Sequence, residues 1–339
     1  MNDQFQRLAV IADYSSFIWT TRYYTSGDFQ LIVDANEKNM SILQKFYYVV
    51  RDDDENVGII EDLHIQRDQD GNEKIIITGR FLDAVLARRI IAKETTLEGK
   101  VSDCIEQLID ENVINPDIAA RQISNFTIDS YEVSTEIQVQ YTGQNLLEAI
   151  SNLCKTYNIG YKVTLNDDND FVFKLYEGVD RTYDQSTNPW VIFSDTYNNL
   201  LSSDYEENYQ NTATAVWVAG EGEGEDRIAE WVTDGSTGLE RCEAFKDGKD
   251  IKSDNGEIYE DEYRELLKEA GKECLTKYTT AFTGTVYFGN TTYREDINVR
   301  DLCVIENSRW GLYLNTRLVE VIESVDETGE YSITPTFGV

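Results

Sequence analysis

The sequence predicts an α+β protein that is predominantly β, with strand-rich segments at both ends and a mixed segment between them. Three observations carry that reading. Short runs in which apolar residues alternate with polar ones fill residues 1–79 and return from about residue 180. Apolar residues at helical spacing occur in only four stretches, near 82–90, 101–109, 147–157 and 263–274. A chain of 339 residues with 41% apolar and 12% aromatic side chains also has material for cores in two or three domains. The expected segments are a β-rich 1–95, a mixed 96–179 and a β-rich 180–339.

Taken in order, "DFQLIVDA" alternates Phe29, Leu31 and Val33 on one face of a strand. "GIIEDLHIQRDQDGNEKIIITG" reads as a hairpin turned at Asp70–Gly71. "RFLDAVLARRII" follows as a short helix with Leu82, Val85, Leu86 and Ile90 on its apolar face, capping the first strands. In the middle, "VSDCIEQLIDENVINP" stripes Val101, Cys104, Ile105, Leu108 and Ile109 along a helix that stops near Pro116. "EIQVQYTG" is a strand. "QNLLEAISNLCKTYNIG" is an amphipathic helix with Leu147, Ile150, Cys154 and Tyr157 in register and Gly160 at its end. "YKVTLNDDNDFVFKLYEG" is a second hairpin, turned over Asn166–Asp170.

Strands return in "WVIFS", "TAVWVAG" and "RIAEWV". Residues 233–258 are polar and glycine-rich and read as an exposed, mobile excursion. A helix near 261–277 buries Tyr263, Leu266, Leu267, Ala270 and Cys274, and "NTRLVEVIESV" is among the closing strands. The two end segments therefore share a pattern of strands plus one helix.

The net charge of −33 bounds the partners. Specific nucleic-acid binding needs clustered Lys and Arg on phosphates, and an anionic membrane repels this chain. A surface past which DNA slides should be acidic, although solubility alone also explains such a charge. The five cysteines, Cys104, Cys154, Cys242, Cys274 and Cys303, are odd in number and show no C-x-x-C pair, which points to reduced thiols.

Chemistry is sparse. His64 is the sole histidine, so two-histidine metal centres are excluded and no G-x-S-x-G elbow accompanies it. The acidic stretches "RDDDEN" at 51–56 and "NDDND" at 166–170 lack EF-hand spacing and read as solvated turns. No catalytic residue, cofactor site or metal site is expected.

"VAGEGEGEDR" at 218–227 looks at first like a phosphate loop. Glu221, Glu223, Glu225 and Asp226 would meet an anion with four negative charges, and the G-x-G-x-x-G spacing is absent. A tight turn between two strands is the better reading, with glycine supplying positive φ.

Several segments together carry a family resemblance: "IWTTRYYTSGDFQLIV", "ITGRFLDAVLARRII", "LLEAISNLCKTYNIGYKV", "YEGVDRTY", "FSDTYNNLLSSDY", "VAGEGEG" and the terminal "PTFG". The chain resembles the siphovirus and prophage tail-protein family related to baseplate and tail-tip hub proteins, over nearly its whole length. The resemblance implies a structural, non-enzymatic virion protein at the tail tip, made in the bacterial host cytoplasm. It implies a homotrimer whose subunits each give two tube-like β-barrel domains with a packed helix, matching a sixfold tube to a threefold tip. Implied partners are the tail tube or distal tail protein, the tape-measure protein and tip proteins. Gly220, Glu221, Gly222, Glu223 and Gly224 become a family-signature turn and a subunit contact. Two other readings stay open: a tail-associated hydrolase of the cell wall, and a carbohydrate-binding receptor module prompted by the 21 tyrosines and 5 tryptophans.

Overall fold

The computed structural model describes residues 1–253, 258–276, 279–283, 286 and 293–338. Strand β1 (Ser16–Arg22) and β2 (Asp28–Asp34) form an antiparallel hairpin with Trp19 opposite Phe29. Alternation turns Trp19, Phe29, Leu31 and Val33 into one core. A short helix, α1 (Glu37–Ile42), is capped by the Asn36 side chain and leads to the ladder of β3 (Tyr48–Val50) with β4 (Val57–Ile59). The expected hairpin follows as β5 (Asp62–Arg67) and β6 (Glu73–Arg80), and β6 pairs with β2 to bring Ile75 and Ile77 into the same core.

The stretch after β6 differs from expectation. Leu82–Arg88 winds as a 3₁₀ helix, and Ile90 is exposed, bridging Asn145 as extended chain. Leu82, Val85 and Leu86 point into the core of the middle segment, so this helix does not cap the first sheet.

That middle core is built by β7 (Thr95–Lys100), α2 (Val101–Ile109), β8 (Phe126–Asp129), β9 (Glu136–Tyr141), α3 (Leu146–Thr156), β10 (Gly160–Leu165) and β11 (Phe171–Tyr176). Every residue expected on the α2 stripe is buried, as are Leu147, Ile150 and Cys154 of α3. Gly160 does not end α3. Asn158 takes the left-handed conformation there, and Gly160 opens β10, where a Cβ would overlap the rings of Tyr23 and Tyr176. The β10–β11 turn is the expected one, with Asn166 Oδ1 accepting from the backbone N–H of Asp168 and Asp170.

The last segment contributes β12 (Ile192–Ser194), β13 (Asp204–Asn208), β14 (Ala215–Ala219), β15 (Ala229–Thr233), β16 (Glu243–Asp247), α4 (Glu260–Cys274), β17 (Thr279–Thr283), β18 (Leu302–Asn307), β19 (Leu312–Val325) and β20 (Tyr331–Gly338). Residues 233–258, expected as a mobile excursion, supply β16, which pairs in parallel with β14; residues 254–257 lie outside the described residues, as does Lys277 at the expected end of α4.

Strand outweighs helix about two to one, at 39% against 19%. The main sheet has ten strands. Its path runs β13–β17–β20–β19–β1–β2–β6–β5, with β18 on the first half of β19 and β12 beside β18. The first and last segments are thus one sheet, joined where β1 pairs with β19. Among the described residues the ladders close no barrel. Among the described residues, helix α4 packs chiefly on β15, β14, β9 and α3.

Candidate functional site

Helix α4 carries one face of the three-stranded sheet β15–β14–β16. Val216, Val218 and Val232 turn towards it and meet Tyr263, Leu266 and Leu267 in a small core of their own. The signature turn joins β14 to β15 at the end of this sheet, as a strand–turn–strand unit. Gly220 donates its N–H to the Ile228 carbonyl at 2.8 Å, and the Ile228 N–H returns to the Glu221 carbonyl at 2.9 Å.

The five signature residues divide into two groups. Gly220 lies against α4: a Cβ there would overlap the Tyr263 hydroxyl and sit 3.0 Å from Leu267 Cδ2. Tyr263 Oη accepts the Glu221 N–H at 2.8 Å and donates to the Ile251 carbonyl at 3.0 Å, which ties the turn to the chain after β16. Burial raises the Tyr263 pKa, keeping the hydroxyl in the donating form this bond needs. The Glu221 carboxylate turns inward as well, accepting from Ser253 Oγ at 2.6 Å. Gly222, with φ +97, takes a conformation that residues with a side chain rarely adopt, and a Cβ there would lie 2.6 Å from the Asp226 carbonyl oxygen, whereas Glu223 and Gly224 are exposed and a Cβ on Gly224 would meet open space. Arg227 fastens the far side, donating to the Gly220 carbonyl at 2.8 Å and to Asp247 at 2.5 Å. Among the described residues of the turn, Glu221 and Glu223 bring carboxylates while Arg227 is committed to Gly220 and Asp247, an arrangement that disfavours an anion.

The opposite face of the sheet holds residues that sequence reasoning missed. Trp217 of β14 stands in register with Trp231 of β15 and with Phe245 of β16, forming one aromatic row across three strands. The two indoles lie 5.0 Å apart, tilted by 44°. The signal was present in "AVWVA", "AEWVT" and "EAFKD", each with one central aromatic, but it requires knowing that the strands align.

A polar seam joins this unit to the middle core. Tyr141 of β9 donates to Glu273 of α4, Tyr157 donates to Glu269 at 2.8 Å, and Gln144 donates to Asp250 at 3.0 Å. Burial is the main reason the Glu273 carboxyl is pushed up to about 7, with the Tyr141 bond and Lys246 pulling it down and Glu269 pushing it up. A raised carboxyl holds its proton more tightly in the folded state. Its contribution is therefore full below the unfolded pKa and is lost as pH climbs towards 7. Glu273→Gln keeps an acceptor for Tyr141 and removes the ionisation. It should flatten the pH 5–7 slope of stability and gain about 2–3 kcal/mol at pH 8. Urea unfolding of both chains at several pH values checks this; parallel curves would disprove it.

A polar cavity of about 320 Å³ lies between the first-sheet core, the middle core and a further core of the last segment built around Phe193, Phe282, Val299 and Phe337, with Asp83, Lys162, Tyr176, Arg294 and Arg300 in its wall. Burial lifts the Asp83 carboxyl to about 6.

Solved phage tail proteins share this architecture. A tail protein from Neisseria meningitidis MC58 superposes with a TM-score of 0.56 at 13% identity, over 96% of this chain and 92% of its own. The 43 kDa tail protein of prophage MuSo2 from Shewanella oneidensis gives 0.56 at 14%, over 97% and 95%. The prophage tail protein gp18 from Listeria monocytogenes EGD-e gives 0.51 at 12%, over 99% and 92%. These likenesses define the fold class. The chain belongs to the siphovirus ReqiPepy6 Gp37-like protein family, whose model matches residues 1–339. The comparison with curated proteins gives no match.

Proposed function

We propose that this chain is a structural component of a phage or prophage tail, a hub that links the tail tube to the tip as a homotrimer around a DNA-conducting lumen. One observation supports this above the others. The eight-strand path divides at β1·β19 into two four-strand halves, β1–β2–β6–β5 and β19–β20–β17–β13. These are the two tube-like units of the hub reading, carried on one continuous sheet. Every neighbouring pair along the path is antiparallel, so its two end strands, β5 and β13, run in opposite directions. Among the described residues each has a ladder partner on one side only. The β5 edge of one copy therefore meets the β13 edge of the next in the antiparallel sense. Three copies then set six halves in a ring with no free edge.

The face of this sheet away from the core suits a conduit. Ser16, Thr20, Thr78, Thr334 and Thr336 lie on it by register, with Asp28, Asp34 and Glu320, interspersed with Ile18, Ile32, Ile76 and Ile322. Its cations are neutralised: Arg22 pairs with Asp28 at 2.5 Å and Glu320 at 2.6 Å, and Lys74 with Asp34 at 2.7 Å. Arg80, on the same face, pairs with Glu61 at 2.7 Å, so among the described residues of this face DNA finds no free positive charge to hold it. The exposed tip of the signature turn, Gly222 to Gly224, is a further subunit contact in this reading, and the tube, tape-measure and tip proteins are the partners.

Light scattering after size exclusion at physiological salt tests the ring. The expected mass is three times the 38.9 kDa of the chain. Ile65→Lys in β5 places a charge on the pairing edge and should return a folded monomer. A wild-type monomer at every concentration, or a trimer indifferent to the β5 charge, counts against it.

A further inference from the structure

We infer that the outward face of the β15–β14–β16 sheet binds a neutral, extended oligosaccharide laid across the strands on Trp217, Trp231 and Phe245. The site rests on this small sheet alone, so its failure would leave the hub reading intact.

The row has the repeat that such a ligand requires. Neighbouring strands stand about 4.8 Å apart, and the Trp217 and Trp231 ring centres are 5.0 Å apart. That is close to the length of one hexopyranose in an extended β-linked chain, so successive sugars meet successive rings. Small residues, Ala215, Ala219 and Ala229, flank the row on the same face. Trp231 is 42% exposed and Phe245 61%.

Polar groups lie where hydroxyls would reach. Trp19 and Trp190 each donate their indole N–H to the chain, to Asp54 and to the Gln185 carbonyl. The indole N–H groups of Trp217 and Trp231 have no such acceptor among the described residues. Along β16, Phe245 is bracketed by Glu243 and Asp247, each held by an arginine: Arg241 at 2.6 Å and Arg227 at 2.5 Å. Arg241 also lies 4.8 Å from the Trp231 ring centre and Arg227 6.0 Å from that of Phe245. These pairs fix donors and acceptors beside the rings while adding no net charge.

Size and charge choose the occupant. A large aromatic side chain buries about 150–250 Å² when fully covered, and these three are already partly covered. Their open area falls well short of the roughly 800 Å² that each partner gives to a standard protein interface. A chain of net charge −33 repels acidic polymers, whereas a neutral glycan meets no such penalty.

The test titrates the full chain with chitohexaose, cellohexaose and maltohexaose, read by tryptophan fluorescence and calorimetry. The β-linked, extended sugars should bind with a dissociation constant below about 1 mM, and the helical, α-linked maltohexaose about tenfold more weakly. Trp231→Ala and Phe245→Ala should each weaken binding about tenfold or more, with Trp231→Phe recovering most of the loss and Trp190→Ala changing nothing. Recovery by phenylalanine separates loss of the ring from loss of the fold. No response to any of the sugars overturns the inference, as does binding that survives Trp231→Ala or falls with Trp190→Ala. Loss of a protein partner in Trp231→Ala, with no sugar bound by the wild type, overturns it in favour of a protein contact.

Discussion

Gly79→Ala should destabilise the first sheet by more than about 4 kcal/mol, enough to prevent recovery of folded chain at 37 °C. Gly79 sits in β6 opposite Phe29 of β2. An added Cβ would overlap the Ile59 carbonyl oxygen, and would lie 2.8 Å from the Ile59 carbonyl carbon and 3.1 Å from the Glu61 nitrogen. All three are backbone atoms, so no rotamer change relieves the clash. Nor does the segment have room to retreat. Ile59 and Ile60 are buried, Glu61 donates its N–H to the Thr78 carbonyl at 3.0 Å, and the Ile60 N–H is held by the Tyr47 carbonyl at 2.8 Å. Relief means breaking those bonds or parting β4 from the sheet, and either opens the core around Trp19 and Phe29. Circular dichroism and urea unfolding of soluble Gly79→Ala check this; a midpoint close to wild type would show that the β4–β5 crossing yields cheaply.

Gly79 also marks the limit of what the sequence carries. Local elements were legible because their signals are local. The β5–β6 and β10–β11 turns, the α2 and α3 stripes, and Tyr263, Leu266 and Leu267 of α4 follow from alternation, helical spacing and turn residues within about twenty positions. Partner choice was not legible. Nothing in "RFLDAVLARRII" says that Leu82 and Leu86 pack beside α3 and not on the strands before them, because an apolar face fits any apolar face. The same holds for α4, expected only as the packed helix of the second tube-like domain: its stripe does not say that it packs on β14 and β15. The pairing of β1 with β19 joins residues 300 apart and has no sequence period to announce it. Strand β16 was hidden because three of the five residues of "EAFKD" are charged, without strict alternation, and it lies in a polar, glycine-rich stretch. Of the candidate site, the turn was legible from its glycines, while the aromatic row appears only when three separate strands are set in register. In the "RDDDEN" loop Asp52, Asp53 and Glu55 are exposed, as a solvated turn requires, but Asp54 is drawn in by Arg294 and Arg51 by Glu323, counter-charges that lie some 240 or more positions away.

Those counter-charges give the second large effect: Glu323→Ala should cost about 3–5 kcal/mol. Glu323 lies on the core side of β19 opposite Trp19 and is 1% exposed. Arg294 donates to both of its oxygens, Arg51 approaches to 3.1 Å, and Tyr331 donates at 2.6 Å. Arg294 reaches on to Asp54 at 2.6 Å, and Asp54 accepts the Trp19 indole N–H at 2.8 Å. Burial alone would pull the Arg51 and Arg294 pKa values down, but their carboxylate partners more than offset it and hold both above the usual value. Alanine at 323 removes the carboxylate that both arginines share. It leaves two largely buried cations with only Asp53 and Asp54 to serve both. Glu323→Gln should lose less, since it fills the same space and still accepts from Tyr331. Arg294→Ala combined with Glu323→Ala should lose less than the sum of the two single changes, because the second removes a charge that the first has stranded. The loss should persist in 1 M salt, where an exposed pair would already be screened. Urea unfolding of the four chains at low and high salt checks these points, and additive losses that vanish with salt would place the network at the surface. A coupled, salt-insensitive loss would mean that the joint between the first and last β segments, at β1·β19, is held by a buried ionic clamp as well as by its ladder.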